Sequence, residues 1–343
     1  MGHRRWLPEG HKFRTDRFTF DGTIELDPKP TRLSGVEVFD EVKDIINKFG
    51  KDPPVDSKKR KRGTNTNNNE GDMDGNGNET LTYNWKKKSI FFELDYWKDN
   101  LIRHNLDIMH IEKNVTDNLI GTLLNIDGKG KDNLNARLDL QLMGIRHELH
   151  PQQHANGKFY LPPSCFSLDN KDKDIVCKVL KEVKVPDGYA SNISRRVNLK
   201  QRSISGLKSH DNHILMQELL PIALRNVLPK NVLEPVIELS NHFRQICSKV
   251  MNINDLDRIQ SRVELTLCHL ERIFPPSFFD VMEHLVIHLV EEAKIAGPPQ
   301  YRWMWPIERY NILCLIHCFH LIIIYFSYIK EHYFFIILGT CLR

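Results

Sequence analysis

The chain has 343 residues, of which 41% are hydrophobic, 27% charged and 9% aromatic. This composition excludes a chain that is disordered throughout, and the length predicts two or three domains. The net charge of +4 excludes a histone-like protein or a polybasic membrane binder unless the excess is locally concentrated. Seven cysteines without CxxC spacing, and an N-terminus without an apolar stretch, argue against a secreted disulfide-bonded protein and predict a reducing compartment.

A short β-hairpin is predicted near the N-terminus. Phe18 and Phe20 can face Ile24 and Leu26 if a three-residue loop, 21–23, joins the two strands. A two-residue turn at the Asp-Gly pair would mix apolar and polar positions across the strands. The matching of faces therefore favours the longer loop.

An amphipathic helix is predicted over residues 35–49. Ser34 and Glu37 have the spacing of a capping box, and Gly50 is typical of a residue that ends a helix. The apolar residues of the segment define one face of the helix: Val38, Phe39, Val42, Ile45, Ile46 and Phe49.

Residues 51–84 are predicted to form a disordered basic linker, because few of their side chains could offset the entropy lost on ordering the backbone. Two basic runs in or beside the linker are candidate DNA contacts: Lys58, Lys59, Arg60, Lys61 and Arg62, then Lys86, Lys87 and Lys88. The first run also has the composition of a nuclear import signal. A solvated charge run is the alternative interpretation.

The chain beyond residue 85 is predicted to be mainly helical. Apolar residues at steps of three or four predict a helix over about 106–125. Prolines in the following segment, 131–168, mark loops. Further helices are predicted near 171–184, 211–227, 231–250, 255–273 and 277–295, the last beginning at Ser277.

Histidines on the last of these helices form a candidate metal-binding pattern. His284, His288 and Glu291 lie at positions i, i+4 and i+7, on one face. The apolar stripe on the opposite face leaves them on the polar face of the helix, and no second set of ligands is spaced to complete a metal site. We therefore assign no metal ligands and no resident cofactor to this chain.

The C-terminal residues, 311–343, differ in composition from the rest. Their apolar run is close to the shortest length that spans a membrane, although two histidines interrupt it. The segment lacks a helix cap, an amphipathic period and turn residues. Residues encoded by A/T-rich codons dominate it, so an aberrant reading frame is favoured over a membrane anchor or a buried helix.

Carboxylates in two motifs are candidates for catalysis. Asp107 and His110 lie three residues apart at a predicted helix start, where an Asp most simply caps the helix and Glu112 suits its dipole. Glu308 lies among aromatic residues and two arginines, a composition able to stack on bases and bind phosphates. Spacing alone favours a packing corner in which Glu308 pairs with an arginine.

Seven segments resemble plant CACTA-type (En/Spm) transposases. Among them are RHNLDIMHIEKNV at 103–115 and FPPSFFDVM at 274–282. The others are residues 1–8, 33–35, 89–94, 206–211 and 301–310. The resemblance therefore extends over nearly all of residues 1–310.

This resemblance implies a cut-and-paste DNA transposase with an RNase H-like core. Its relatives use three carboxylates to hold two divalent metal ions, Mg²⁺ or Mn²⁺, which activate the nucleophile and stabilise the leaving oxygen. Asp107 and His110 match an Asp-x-x-His motif that lies between the second and third carboxylates. Glu308 matches the third carboxylate, with Glu112 as its rival.

The departures from the family predict a truncated and catalytically incomplete fragment. The two upstream aspartates of the relatives have no counterpart before residue 1, and the family pattern ends after Tyr310. One carboxylate cannot assemble a two-metal site. The predicted fold is mainly α, an RNase H-like remnant with a short N-terminal hairpin and a C-terminal helical domain.

The predicted division has five parts: 1–50, a remnant of the transposase core; 51–84, the linker; 85–204, a transposase-like helical region; 205–310, a transposase-associated helical domain; and 311–343, the apolar tail. DNA and transposase subunits are the expected partners, with no small-molecule substrate and no membrane, and the expected location is the nucleus. A host-recruited DNA-binding or interaction module and an active metal-dependent nuclease are the alternatives.

Overall fold

The computed structural model describes residues 2–47, 87–103, 105–186 and 192–303. Helices dominate these residues, which confirms the prediction of a mainly helical protein. The described residues fall into two compact units. The larger contains residues 2–29, 105–186 and 192–303, and the smaller contains residues 30–47 and 87–103.

The α-helices are short to medium in length, and all except α2 belong to the larger unit. In chain order they are α1 (Lys12–Thr15), α2 (Gly35–Val42), α3 (Ile108–Leu123), α4 (Leu134–Leu142), α5 (Asn170–Glu182), α6 (Ser209–Ile214), α7 (Leu220–Leu224), α8 (Lys230–Ile246), α9 (Ile253–Ile273), α10 (Val281–Leu285) and α11 (Leu289–Ala296). The strands are β1 (Gln152–Gln153), β2 (Phe159–Tyr160), β3 (Val197–Asn198) and β4 (Ser203–Ile204). They form two antiparallel pairs, β1 with β2 and β3 with β4.

Helix α3 runs through the main core of the larger unit. Its predicted apolar stripe is confirmed, because all five of its residues are buried: Ile108, Ile111, Val115, Leu119 and Leu123. They pack in one cluster with apolar residues of α5, α8, α9 and α11. The helix begins and ends within two residues of the predicted bounds.

The segment predicted as one helix near 211–227 is interrupted. Residues Leu215–Leu219 form a π-helical turn between α6 and α7. Pro221 follows this turn and has no N–H to donate to the carbonyl of Gln217, four residues earlier. That carbonyl accepts instead from Arg244 and from Ser240, both on α8. The carbonyl that the proline leaves free thus links the interrupted helix to α8.

The last predicted helix begins later than Ser277. Residues Pro276–Phe278 form a 3-10 turn, and α10 begins at Val281 with Asp280 and Glu283 as a capping box. A second 3-10 turn, Val286–His288, joins α10 to α11. The predicted C-terminal end of this helix, residue 295, is closer to the structure, because α11 stops at Ala296 before Gly297.

The predicted N-terminal hairpin is wrong. Phe18 is 84% exposed whereas Phe20 is buried. The two side chains therefore do not lie on one shared face, as the predicted hairpin requires. Hydrogen bonds from the guanidinium of Arg4, instead of a strand ladder, hold the backbone of this segment. The guanidinium donates to the carbonyls of Asp16 (3.1 Å) and Thr23 (3.0 Å). A buried arginine therefore organises this segment as a loop.

Helix α2 is the main element of the smaller unit. The predicted capping box is confirmed: the Ser34 hydroxyl accepts from the Glu37 amide at 3.2 Å, and the Glu37 carboxylate accepts from the Ser34 amide at 2.7 Å. The helix ends at Val42, earlier than predicted. Asn47 lies beyond it and clamps the backbone of Lys88 through two hydrogen bonds, of 2.7 and 2.9 Å.

Within the described ranges, no helix combines the length and apolar character that crossing a membrane requires. The predicted linker, 51–84, and the apolar tail, 311–343, lie outside those ranges.

Candidate functional site

Asp107 and His110 face outward at the start of α3. The Asp107 carboxylate accepts from the His110 amide at 3.1 Å, which is the geometry of an N-cap. Both residues are exposed. The bonds that the structure gives them serve the helix itself, and a catalytic role for this pair stays a prediction.

The start of α3 lies beside the first residues of the segment 301–310. The amide of Leu106 and the guanidinium of Arg302 both donate to the buried carboxylate of Glu292, each at 2.9 Å. The Asn105 side chain donates to the Arg302 carbonyl at 2.9 Å. Two segments that resemble the transposase family therefore meet in the larger unit. Glu308 lies outside the described residues.

Two of the candidate DNA-binding lysines, Lys87 and Lys88, belong to the smaller unit. Lys87 is exposed, and the Lys88 backbone is held by Asn47. The remaining members of the two basic runs lie outside the described residues: Lys58, Lys59, Arg60, Lys61, Arg62 and Lys86.

Glu112 points from α3 into the protein and is fully buried. Its carboxylate receives two hydrogen bonds from the segment around the π-helical turn. His213 Nδ1 lies 2.6 Å from Oε2, and Gln217 Nε2 lies 2.9 Å from Oε1. Cys247, directly after α8, completes the group. One donor atom each of Glu112, His213 and Cys247 lies within 4.8 Å of the others. We call these three residues the Glu112 centre.

The Glu112 centre is electrostatically costly without a cation. Burial raises the pKa of the Glu112 carboxyl, although the contacts with His213 and Gln217 act in the opposite direction. Burial, together with the nearby Glu112 carboxylate, raises the pKa of the Cys247 thiol well above its usual range. A cation among these donors would favour the charged form of both acids.

A second buried carboxylate lies where the N-terminal segment meets α9. Glu271 Oε1 accepts from the Gly2 amide at 3.0 Å and lies 2.7 Å from His3 Nδ1. His3 Nε2 is 3.2 Å from His284, which is in turn 3.3 Å from His288. The four side chains thus form a line, which we call the Glu271 centre. Burial, and then the charges of His3 and His288, lower the pKa of His284 to about 4.

The polar helix face that carries His284 and His288 is partly covered in the structure. Both are half-buried, and the indole ring of Trp6 covers them at centroid distances of 5.5 and 6.1 Å. Glu291, the third member of the predicted pattern, is exposed and pairs with Lys294 at 3.0 Å. The N-terminal segment therefore covers the face that the isolated helix pattern left to solvent.

A third buried carboxylate joins α10 to α3. Glu283 accepts from the Asn118 side chain at 2.7 Å and from the Asp280 amide at 3.1 Å. Burial, reinforced by the neighbouring Asp280 carboxylate, raises the pKa of Glu283 to about 7.

Comparison with known protein families gives two matches. Residues 1–45 match the family described as Transposase family tnp2, and residues 246–319 match DUF4218, a domain of unknown function. Neither the curated proteins nor the solved structures include a match. The two family matches support a transposase-type protein.

These two matched segments are in direct contact within the larger unit. Gly2 and His3, from the first, bond to Glu271 of α9, from the second. Lys29 forms an ion pair with Glu264, also of α9, at 2.7 Å. The first residues of the tnp2 match, within 2–29, therefore pack against α9 of the DUF4218 match.

Proposed function

We propose that this chain is a derivative of a CACTA-type DNA transposase that binds DNA or transposase subunits in the nucleus and does not cut DNA by itself. The observation that carries the proposal is the packing of the tnp2-matched N-terminus onto the DUF4218-matched helix α9 through Glu271. Two chance matches would not be expected to share a buried carboxylate. The RNase H-like character of the core is part of the proposal.

The described carboxylates do not fit the metal site that the resemblance implies. A pair of Mg²⁺ or Mn²⁺ ions needs several oxygen donors converging on one place. Asp107 caps its own helix on the surface, whereas Glu112 on the same helix is buried against His213. Among the described residues, the single cluster able to hold a metal contains one carboxylate, one imidazole and one thiol. Mg²⁺ disfavours such a donor set.

The basic runs support the DNA-binding part of the proposal. Lys58 to Arg62 supply five positive charges within five residues, and Lys86 to Lys88 supply three more. Such runs neutralise phosphates without reading sequence, so they favour binding to DNA of any sequence.

Binding of the full chain to duplex DNA at increasing salt concentration tests this part. If all five residues from Lys58 to Arg62 contact phosphates, the logarithm of the binding constant falls against that of the salt concentration with a slope of about −4.5. Replacing the five with alanine removes most of that slope. The matched control replaces five exposed lysines elsewhere, and it leaves the slope unchanged. A slope near zero for the unaltered chain contradicts DNA binding through phosphates.

Strand cleavage with Mg²⁺ or Mn²⁺ tests the absence of nuclease activity. We expect the full chain to produce no more nicked or joined DNA than its Glu308→Ala variant. Metal-dependent cleavage that disappears in Glu308→Ala contradicts the proposal and favours an active nuclease. Binding to DNA and to a catalytically complete transposase, measured separately, then distinguishes a transposase accessory from a host-recruited DNA-binding module.

A further inference from the structure

We propose that Glu112, His213 and Cys247 bind one Zn²⁺ ion. The three side chains come from parts of the chain that are far apart in sequence: helix α3, helix α6 and the residue that follows α8. Folding alone brings a carboxylate oxygen, an imidazole nitrogen and a thiol sulfur to within 4.8 Å of one another. The inference does not depend on the function proposed above.

The donor set selects the metal. Carboxylate, imidazole and thiolate are the three ligand types that Zn²⁺ accepts, and thiolate excludes Mg²⁺ and Ca²⁺ in practice. The charges also balance, because one divalent cation offsets the carboxylate of Glu112 and the thiolate of Cys247 while His213 binds as a neutral ring. A buried group with no net charge is far less costly than a lone buried carboxylate.

The distances suit a tetrahedral ion after a small movement. Bonds of about 2.3 Å to sulfur and about 2.0 Å to nitrogen or oxygen separate neighbouring donor atoms by roughly 3.5 Å. His213 Nδ1 and Glu112 Oε2 are now 2.6 Å apart and share a hydrogen bond. Metal binding replaces that bond and moves the two atoms apart by about 1 Å, which side-chain rotation can supply. Three protein ligands leave a fourth position for water.

The surroundings of the centre already hold one ligand in place. Gln217 Nε2 donates to Glu112 Oε1 at 2.9 Å and lies 3.1 Å from His213 Nδ1, so it contacts two of the three ligands and holds the carboxylate beside the imidazole. Gln217 itself lies in the π-helical turn, whose backbone is tied to α8 through Ser240 and Arg244. Partners of this kind orient metal ligands, and π-helical turns are frequent at functional sites. A metal can reach the centre, since the His213 side chain is 16% exposed.

The alternative is a metal-free buried pair of Glu112 and His213, and cobalt binding decides between the two. We would use the full chain with Cys314, Cys318 and Cys341 replaced by serine, so that the remaining thiols are the four described ones. One equivalent of Co²⁺ should produce thiolate-to-cobalt charge-transfer absorption and the visible bands of a tetrahedral ion, both of which one equivalent of Zn²⁺ removes. A folded protein that shows neither absorption overturns the proposal.

Variants assign the site to its residues. Cys247→Ala should abolish the charge-transfer absorption, whereas the control Cys165→Ala, at an exposed thiol, should leave it unchanged. Gln217→Ala should retain the absorption and weaken Zn²⁺ binding roughly 10–100-fold, as is typical for loss of a residue that orients a ligand. Persistence of the absorption in Cys247→Ala would overturn the assignment. If that variant does not fold, loss of the absorption in His213→Gln serves as the same test.

Discussion

The Glu112 and Glu271 centres use similar residues in different arrangements. Each has a fully buried glutamate within 2.7 Å of a histidine ring nitrogen. At the Glu112 centre the donors converge, so that one ion could contact all three. At the Glu271 centre they lie in a line, from the carboxylate through His3 and His284 to His288.

This difference in arrangement suits the Glu112 centre to binding a metal ion and the Glu271 centre to holding parts of the chain together. A line of hydrogen bonds pairs each side chain with the next one and leaves no shared position for an ion. It also joins three parts of the chain, because His3 comes from the N-terminus, Glu271 from α9 and His284 from α10. We therefore expect loss of the Glu271 centre to affect stability and loss of the Glu112 centre to affect metal binding.

The largest effect on stability is expected for Glu271→Ala. This change removes the acceptor of two backbone amides and of the His3 ring, all of them buried or partly buried. We expect a loss of about 3–5 kcal/mol in the free energy of unfolding, measured with urea. The control Glu291→Ala, at an exposed position, should change it by less than about 0.5 kcal/mol. Similar small effects for both variants would contradict a structural role for the Glu271 centre.

Arg4→Met should be the next most harmful change. Its guanidinium donates to backbone carbonyls of Asp16 and Thr23 and to the Asp21 carboxylate, at 2.6 Å for the last. Methionine keeps most of the apolar stem but none of the donors, so we expect a loss of about 2–3 kcal/mol. Arg17→Met, at an exposed arginine of the same segment, is the matched control. Equal stability of the two variants would show that Arg4 does not organise the N-terminus.

Glu283→Gln should change the dependence of stability on pH. A carboxyl whose pKa is about 7 in the folded protein and about 4.5 when unfolded binds more protons in the folded state. Its stabilising effect is complete below about pH 4.5 and is lost as the pH rises through 7. The variant should therefore match the unaltered protein at pH 4 and exceed it by about 1–3 kcal/mol at pH 8. Parallel stability curves from pH 4 to 8 would contradict the buried acid.

The smallest effect is expected in the smaller unit. Ser34→Ala removes half of an exposed capping box and should destabilise helix α2 by about 1 kcal/mol. Amide hydrogen exchange within Gly35–Val42 should become about fivefold faster, and exchange in α3 should not change. Unchanged exchange in α2 would mean that its end is held by contacts other than the cap.

Local signals in the sequence predicted the elements whose stability is local. The stripe of α3 follows a regular helical period, and the Ser34 capping box needs only four consecutive residues. The hairpin prediction failed because the pairing of Phe18 and Phe20 with Ile24 and Leu26 rests on one short segment. The structure fixes that segment through Arg4 and through packing of Phe20 on helix α9. The helix pattern around His284 is limited in the same way, since it does not reveal that Trp6 covers the ring.

Of the three residues in the candidate metal site, the sequence alone singles out one. Glu112 stood out as a carboxylate in a family-like motif, although its predicted role was different. Its partners His213 and Cys247 are about 100 and 135 residues away, and no short motif contains either pair. Pro221 is the one local signal near the site, because a proline predicts an interruption of the helix. In the structure that interruption is a π-helical turn, which often marks a functional residue.

X-ray absorption at the zinc edge tests most directly whether converging donors, rather than the line of histidines, hold the metal. The sample is the full chain with Cys314, Cys318 and Cys341 replaced by serine and loaded with one equivalent of Zn²⁺. We predict one sulfur at about 2.3 Å and nitrogen or oxygen neighbours near 2.0 Å, with the scattering of a single imidazole ring. A shell without sulfur, showing two or more imidazole rings, would place the ion at the Glu271 centre and contradict the distinction drawn between the two.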